Sequence, residues 1–135
     1  MSERMEAKKE ILWIGSSKPD LQSLVGEAQD EIGYALFQAQ MGGKSEKAKP
    51  FKGFGSANVL EIVVFSIGGT YRGVYTVRFK GVIAVLHVFH KKSTHGIKTS
   101  KQDIELIKSR LKLSEEDYNV WMLKEEKKNE KEKSQ

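Results

Sequence analysis

The spacing of apolar residues changes several times along this chain, and each change marks an element. Ile11-Leu12-Trp13-Ile14 is a short unbroken apolar run ending at Gly15-Ser16-Ser17, the pattern of a brief buried strand. Leu21, Leu24, Val25, Ala28, Ile32, Ala35, Leu36 and Ala39 then recur at helical spacing. Ser17 is the expected cap, with Pro19 tolerated in the first turn and Asp20 favourable near its positive end. Gly26 and Gly33 weaken the pattern, so it reads as one helix or as two meeting near Gly26, and Gly42-Gly43 ends it. Residues 44–57 (KSEKAKPFKGFGSA) carry the punctuation of a loop.

Three β-rich runs follow. Residues 59–67 are dense in β-branched side chains, Gly68-Gly69 is a hairpin signal, residues 71–80 form the next strand, Gly81 sits in a turn, and residues 82–90 form the third. Val82-Ile83-Ala84-Val85-Leu86 shows little polar alternation, which predicts a central strand covered on at least one face. After a basic loop at residues 91–98, Thr99 with Gln102 suggests a capping box. Ile104, Ile107 and Leu111 mark an amphipathic helix to about residue 113. Ser114 with Asp117 offers a second cap, and Tyr118, Trp121 and Met122 place one apolar patch, preferentially on the domain itself. Nothing apolar remains from Lys124 onward, which predicts a fraying helix or disordered tail. The order predicts an α+β domain with helices packed on one face of a small antiparallel sheet. Residues 1–113 form the domain, and 114–135 a charged, partly disordered C-terminal helix or tail.

Composition narrows the class. A length of 135 residues favours one domain. No apolar run approaches the ~20 residues of a membrane span, and the first residues lack a secretory pattern, so a cytoplasmic protein without membrane contact is expected. The absence of cysteine excludes disulfides and thiolate chemistry and makes a zinc site improbable. The net charge of +5 conceals an asymmetry. Residues 114–135 hold five lysines against seven acids, leaving 18 basic and 11 acidic residues in the body. Such a body suits a polyanion or an acidic protein, although a lysine-rich solvated surface explains charge alone more simply.

Candidate chemistry concentrates between Tyr71 and Lys98. Every histidine of the chain, His87, His90 and His95, lies there, with Arg72, Arg78, Lys80, Lys91, Lys92 and Lys98. Period-2 alternation puts Arg72, Val74, Thr76, Arg78 and Lys80 on one face, predicted open, and Tyr71, Gly73, Tyr75, Val77 and Phe79 on the other, facing the helices. A guanidinium matches two phosphate oxygens, whereas the structural alternative pairs these arginines with an acid such as Glu61. In the next strand Ile83, Val85, His87, Phe89 and Lys91 share one face, so His87 and His90 point oppositely unless a bulge intervenes. A histidine amid an apolar strand is more often a hydrogen-bonded core residue than a catalyst. His90 and His95, at the strand exit, are better placed for a ligand, and an unperturbed imidazole can take and give protons at neutral pH. Together these residues suit RNA cleavage by its own 2′-hydroxyl. That reaction needs a base, cations for the extra phosphorane charge and an acid for the leaving oxygen. No metal or cofactor is expected.

Several segments resemble a known family. They are Trp13-Ile14-Gly15-Ser16-Ser17-Lys18, Gly33-Tyr34-Ala35-Leu36 with Ala39-Gln40, and Ala48-Lys49-Pro50-Phe51-Lys52-Gly53-Phe54-Gly55. Leu60-Glu61-Ile62, Tyr71-Arg72 with Val74-Tyr75, Leu86-His87 with Phe89, Lys91-Lys92-Ser93 and Gly96-Ile97-Lys98-Thr99 complete the set. In this order they resemble the phage-derived, HigB-like branch of the RelE/ParE toxin superfamily over roughly residues 11–118. The resemblance implies a RelE-like fold, with N-terminal helices on a small curved antiparallel sheet plus a C-terminal helix. It also implies the toxin of a type II toxin–antitoxin module. Such a toxin would be an endoribonuclease acting on translated mRNA at the ribosome, blocked by a helix-turn-helix (HigA-like) antitoxin. Arg72 matches the arginine that acts on the scissile phosphate, Lys91 and Lys92 the basic pair ending the last strand, and His87 the Leu-His-x-Phe segment. His87 and His90 join these as catalytic candidates, and Arg78, Lys80, His95, Lys98 and Lys52 are expected to bind RNA. RelE itself has lysines on the strand before Tyr-Arg, where this chain has Glu61 and Val63, so the general base stays unassigned. The alternatives are a non-enzymatic ParE-like inhibitor of gyrase and an inactive module that binds RNA or a partner.

Overall fold

The computed structural model describes residues 8–55, 57–92 and 98–133. The elements run β1 (Glu10–Trp13), α1 (Ser17–Gln22), α2 (Gly26–Gln40), β2 (Ala48–Pro50), β3 (Val59–Ser66), β4 (Gly69–Thr76), β5 (Val82–Lys91) and α3 (Lys101–Lys133). The architecture is α+β, on a five-stranded sheet ordered β1-β5-β4-β3-β2, consistent with a RelE-like fold. The β3–β4–β5 meander is antiparallel, whereas β1 returns parallel to β5, with Ile11 opposite Ile83 and Trp13 opposite Val85. β2, inside the stretch predicted as loop, is a three-residue edge strand on β3. Pro50 is tolerated there because an edge strand leaves one row of amides unpaired.

The helical stretch breaks into two at Gly26, one of the two readings its glycines allowed. α1 and α2 lie on one face of the sheet. Leu21, Ala28, Ile32, Ala35, Leu36 and Ala39 pack there against Ile62, Val64, Tyr71, Tyr75, Ile83, Val85 and Val88.

The opposite face is not open, contrary to expectation. α3 covers it, packing Ile107, Leu111, Tyr118 and Trp121 against Val59, Val74, Val82, Ala84 and Leu86. The sheet is therefore sandwiched between helices, and every residue of β4 is buried. Nor does α3 stop near residue 113: it runs unbroken for 33 residues, roughly 50 Å. Ser114 caps nothing. Its buried hydroxyl donates back to the Leu111 carbonyl within the helix. The Tyr118 patch packs on the domain: Tyr118 stacks on Phe79 at 4.8 Å and donates to the Lys80 carbonyl, and Trp121 donates to Glu10. At the start of α3 the capping pair is Ser100 with Asp103, one residue beyond the predicted Thr99 and Gln102.

The β3–β4 hairpin closes tightly against the end of β5. Gly69 has φ +133°, and a Cβ there would lie 2.0 Å from the Lys91 carbonyl oxygen. Gly69→Ala must therefore pull the hairpin off the end of β5. It is expected to cost about 3 kcal/mol in urea denaturation, from backbone strain and overpacking together. A loss under ~1 kcal/mol would show that this approach is not tight.

Candidate nucleic-acid interface

β4 and β5 bring the predicted basic residues together through their register. Arg72 lies opposite Phe89, and Thr70 opposite Lys91, so Arg72 and Lys91 stand one same-face step apart on neighbouring strands. A bulge decides which β5 side chains join them. Val74 pairs with His87 but Tyr75 pairs with Val85, leaving Leu86 as the extra residue. Below it Ile83 and Val85 face α2. Above it the alternation resumes one residue out of phase, and His87, Phe89 and Lys91 face α3. The single face expected for Ile83 through Lys91 is thus split between the two sides of the sheet. Arg110 of α3 accepts the consequence of the bulge, donating Nη1 to the Leu86 carbonyl and Nη2 to the Ser16 hydroxyl, each at 3.0 Å.

Two carboxylates hold these cations. Arg72, 7% exposed, donates Nη1 to Glu61 Oε2 at 2.8 Å. The acid that sequence reasoning set against a phosphate role is therefore the actual partner. Thr99, just before α3, donates to the same oxygen at 3.3 Å. Asp103, in the first turn of α3, takes His87 Nε2 at 2.8 Å, Lys91 Nζ at 2.7 Å and the Ser100 hydroxyl at 2.7 Å. Burial alone would raise the Asp103 pKa. The bonds from Lys91, His87 and Ser100, with the Lys91 charge, outweigh it and bring the pKa down from 3.8 to about 2. Burial lowers the His87 pKa despite the Asp103 hydrogen bond, so the ring is neutral at pH 7. Its Nε2–H donates to the carboxylate, and its buried Nδ1 has no partner among the described residues. His87 stacks on Phe89 at 4.4 Å and reads as a structural pin between β5 and α3.

The remaining candidates divide by location. Lys52 and Lys98 line a cleft of about 420 Å³ beside Arg72, together with Lys49, Phe51, Glu61, Thr99 and Ile104. Lys92 is exposed next to Lys91. His90 faces away, stacked on Tyr71 at 4.2 Å and donating Nε2–H to the Gly68 carbonyl. β4 ends at Thr76, short of the expected residue 80, so Arg78 and Lys80 lie beyond it in the turn, where Arg78 pairs with Glu115 and the Lys80 carbonyl receives Tyr118. His95 lies outside the described residues. The structure therefore gathers Arg72, His87 and Lys91, with Lys52, Lys92 and Lys98 around them, and separates off His90, Arg78 and Lys80. Among the described residues no His, Asp and Glu group is arranged to hold a metal ion.

Asp103 and Arg110 were missed as site residues. Asp103 lies sixteen residues from His87, and only its spacing from Ser100 hinted at a cap. Arg110 carried no signal, because the bulge it caps is invisible in the sequence.

The sequence profile of the family described as Phage derived protein Gp49-like (DUF891) matches residues 19–112. The chain belongs to this Gp49-like family. It is a RelE/HigB-like toxin family, which suggests the toxin of a toxin–antitoxin pair. No curated protein and no solved structure matches the chain significantly. The matched segment of this Gp49-like protein contains β4, β5 and the first part of α3, and so Arg72, Lys91 and Asp103 alike. No described helix is long and apolar enough to cross a membrane.

Two stability measurements follow for the Gp49-like fold. Arg72→Met leaves the half-buried Glu61 without its cation and is expected to cost about 3 kcal/mol in urea denaturation. Adding Glu61→Leu should recover much of that loss, and no recovery would show that the pair is not energetically coupled. Asp103 has a native pKa below its unfolded one, so its contribution is complete above about pH 4. That contribution disappears as pH falls toward about 2. Thermal melts should show this acid loss in the wild type and a shallower one in Asp103→Asn. Parallel profiles would contradict the assignment.

Proposed function

We propose that this chain is the toxin of a type II toxin–antitoxin pair of the HigB-like branch, and that it cleaves messenger RNA without a metal. The observation carrying this reading is the register of β4 with β5. It sets Arg72 and Lys91 side by side in a chain whose family is one of RelE/HigB-like toxins. In this scheme the RNA 2′-oxygen attacks the adjacent phosphorus and the 5′-oxygen leaves. Arg72 and Lys91 stabilise the charge that gathers on the phosphorane, while Lys92, Lys52 and Lys98 hold flanking phosphates. The proton of the 2′-hydroxyl has no assigned acceptor. His87 and His90 both commit Nε2–H to protein oxygens, and the buried His87 Nδ1 does not reach solvent. The partners of this reading are translated mRNA on the ribosome and a helix-turn-helix antitoxin, in the cytoplasm.

One observation fits a second reading equally. Arg72, His87 and Lys91 are each engaged by a carboxylate of the same chain, which suits a non-enzymatic toxin or binding module as well as an RNase.

Expression without an antitoxin separates the two. Growth arrest with cut transcripts is expected, and arrest with intact transcripts would sink the enzymatic reading. Lys91→Met keeps the Arg72–Glu61 pair and should lower the cleavage rate by about 10²-fold, the scale of one lost transition-state contact. Undiminished cleavage by this variant would remove Lys91 from the chemistry.

A further inference from the structure

Asp103 is surrounded as a bound anion would be. An ammonium, an imidazole N–H and a hydroxyl converge on its two oxygens at 2.7–2.8 Å. Hydrogen bonds to an anion of this kind are the strong ones, and the same donors would serve a phosphate oxygen equally well. Of the two carboxylate-held cations at this site, Arg72 and Lys91, Lys91 is also the more accessible. Its side chain is 27% exposed, against 9% for Arg72. The two carboxylates differ in their mounting. Glu61 sits in the middle of β3, paired on both sides. Asp103 stands on the third residue of α3, behind residues 98–100, which belong to no regular element. A small displacement of that turn, or a change of the Asp103 rotamer, uncovers Lys91 without breaking the sheet.

We propose that Asp103 is an internal competitor for RNA, its carboxylate occupying the place on Lys91 that a substrate phosphate takes. Binding then exchanges one anion for another, and Asp103 sets the RNA concentration at which the site engages. This rests on the RNA-binding part of the function proposed above. It leaves Lys91 paired and His87 oriented in the free protein, which avoids an unpaired cation on a half-buried surface. It also explains how a site for a polyanion coexists with carboxylates at its centre.

The test is the affinity of the full chain for a fluorescein-labelled single-stranded RNA of about a dozen nucleotides, spanning the usual site sizes. The RNA is 2′-O-methylated so that it binds without being cut, and anisotropy is read across a salt series. Asp103→Asn should bind severalfold tighter than the wild type. The slope of log K against log salt should steepen by about 0.7, because the displaced wild-type carboxylate takes up a counterion on binding and the neutral amide does not. Ser100→Ala, which removes the hydroxyl fixing the same carboxylate, is the second variant should Asp103→Asn not fold. It should move affinity in the same direction. Circular dichroism establishes that each variant is folded. If the wild type binds and the folded variants bind no tighter, the competitor proposal is overturned and the RNA reading stands. Tighter binding by the variants with no cleavage of unmodified RNA by any of the proteins supports the competitor and removes the nuclease. No binding by any of the proteins at low salt overturns both.

Discussion

A guanidinium buried in a sheet that is covered on both faces needs an acid beside it. That requirement organises this molecule. Arg72 lies on a strand with no exposed residue, and removing its charge from water without compensation would cost several kcal/mol. Glu61, on the neighbouring strand and the same face, supplies the compensation, and Thr99 completes the carboxylate's coordination from the start of α3. The same logic recurs one step along the sheet. Lys91 and His87 come under α3, and Asp103 meets them from its first turn. The polar seam between sheet and α3 is therefore a row of matched charges. The apolar seam further along, from Ile107 to Trp121, supplies the burial that makes matching necessary.

Much of this was legible in the sequence, and the failures have identifiable causes. Alternation from Tyr71 to Thr76 is unbroken, so the division of β4 between two faces followed from period 2 alone. Beyond Thr76 the strand ends, and Phe79 crosses to the α3 side, where Tyr118 stacks on it. In β5 one extra residue, Leu86, shifts the phase, and no local composition announces a bulge. The covering of the second face follows from composition rather than from periodicity. Val74, Val82, Ala84 and Leu86 are too apolar for a solvated surface, and the stripe Ile104, Ile107, Leu111 had to go somewhere. Its destination is a tertiary fact that helix periodicity does not carry.

The candidate site was legible at the level of residue type and less so at the level of availability. Arg72 and Lys91 were named from motif and charge, and register does bring them together. Sequence counts charges without saying which are already paired. Here the pairing acids come from β3 and from α3, eleven and twelve residues away from the cations they hold. His90 illustrates the converse. Its position at a strand exit suggested access, and it is exposed, yet it faces away from Arg72 and Lys91, stacked on Tyr71 and bonded to the Gly68 carbonyl.

Matched charge also limits what kind of ligand this face can take. A neutral or weakly charged ligand gains little from Arg72 or Lys91, because each already has a carboxylate within hydrogen-bonding distance. A polyanion differs, because it delivers several phosphates at once. Among the described residues no carboxylate pairs with Lys49, Lys52, Lys92 or Lys98, so under the proposed function these lysines hold flanking phosphates while the central one displaces a carboxylate. The effective concentration of the central phosphate is then set by its covalent neighbours, which is how a single strand can win a contest that a free phosphate ion would lose. On the proposed reading, the arrangement selects for length and charge density before any base is read. That is the selectivity expected of a protein that grips RNA by its backbone.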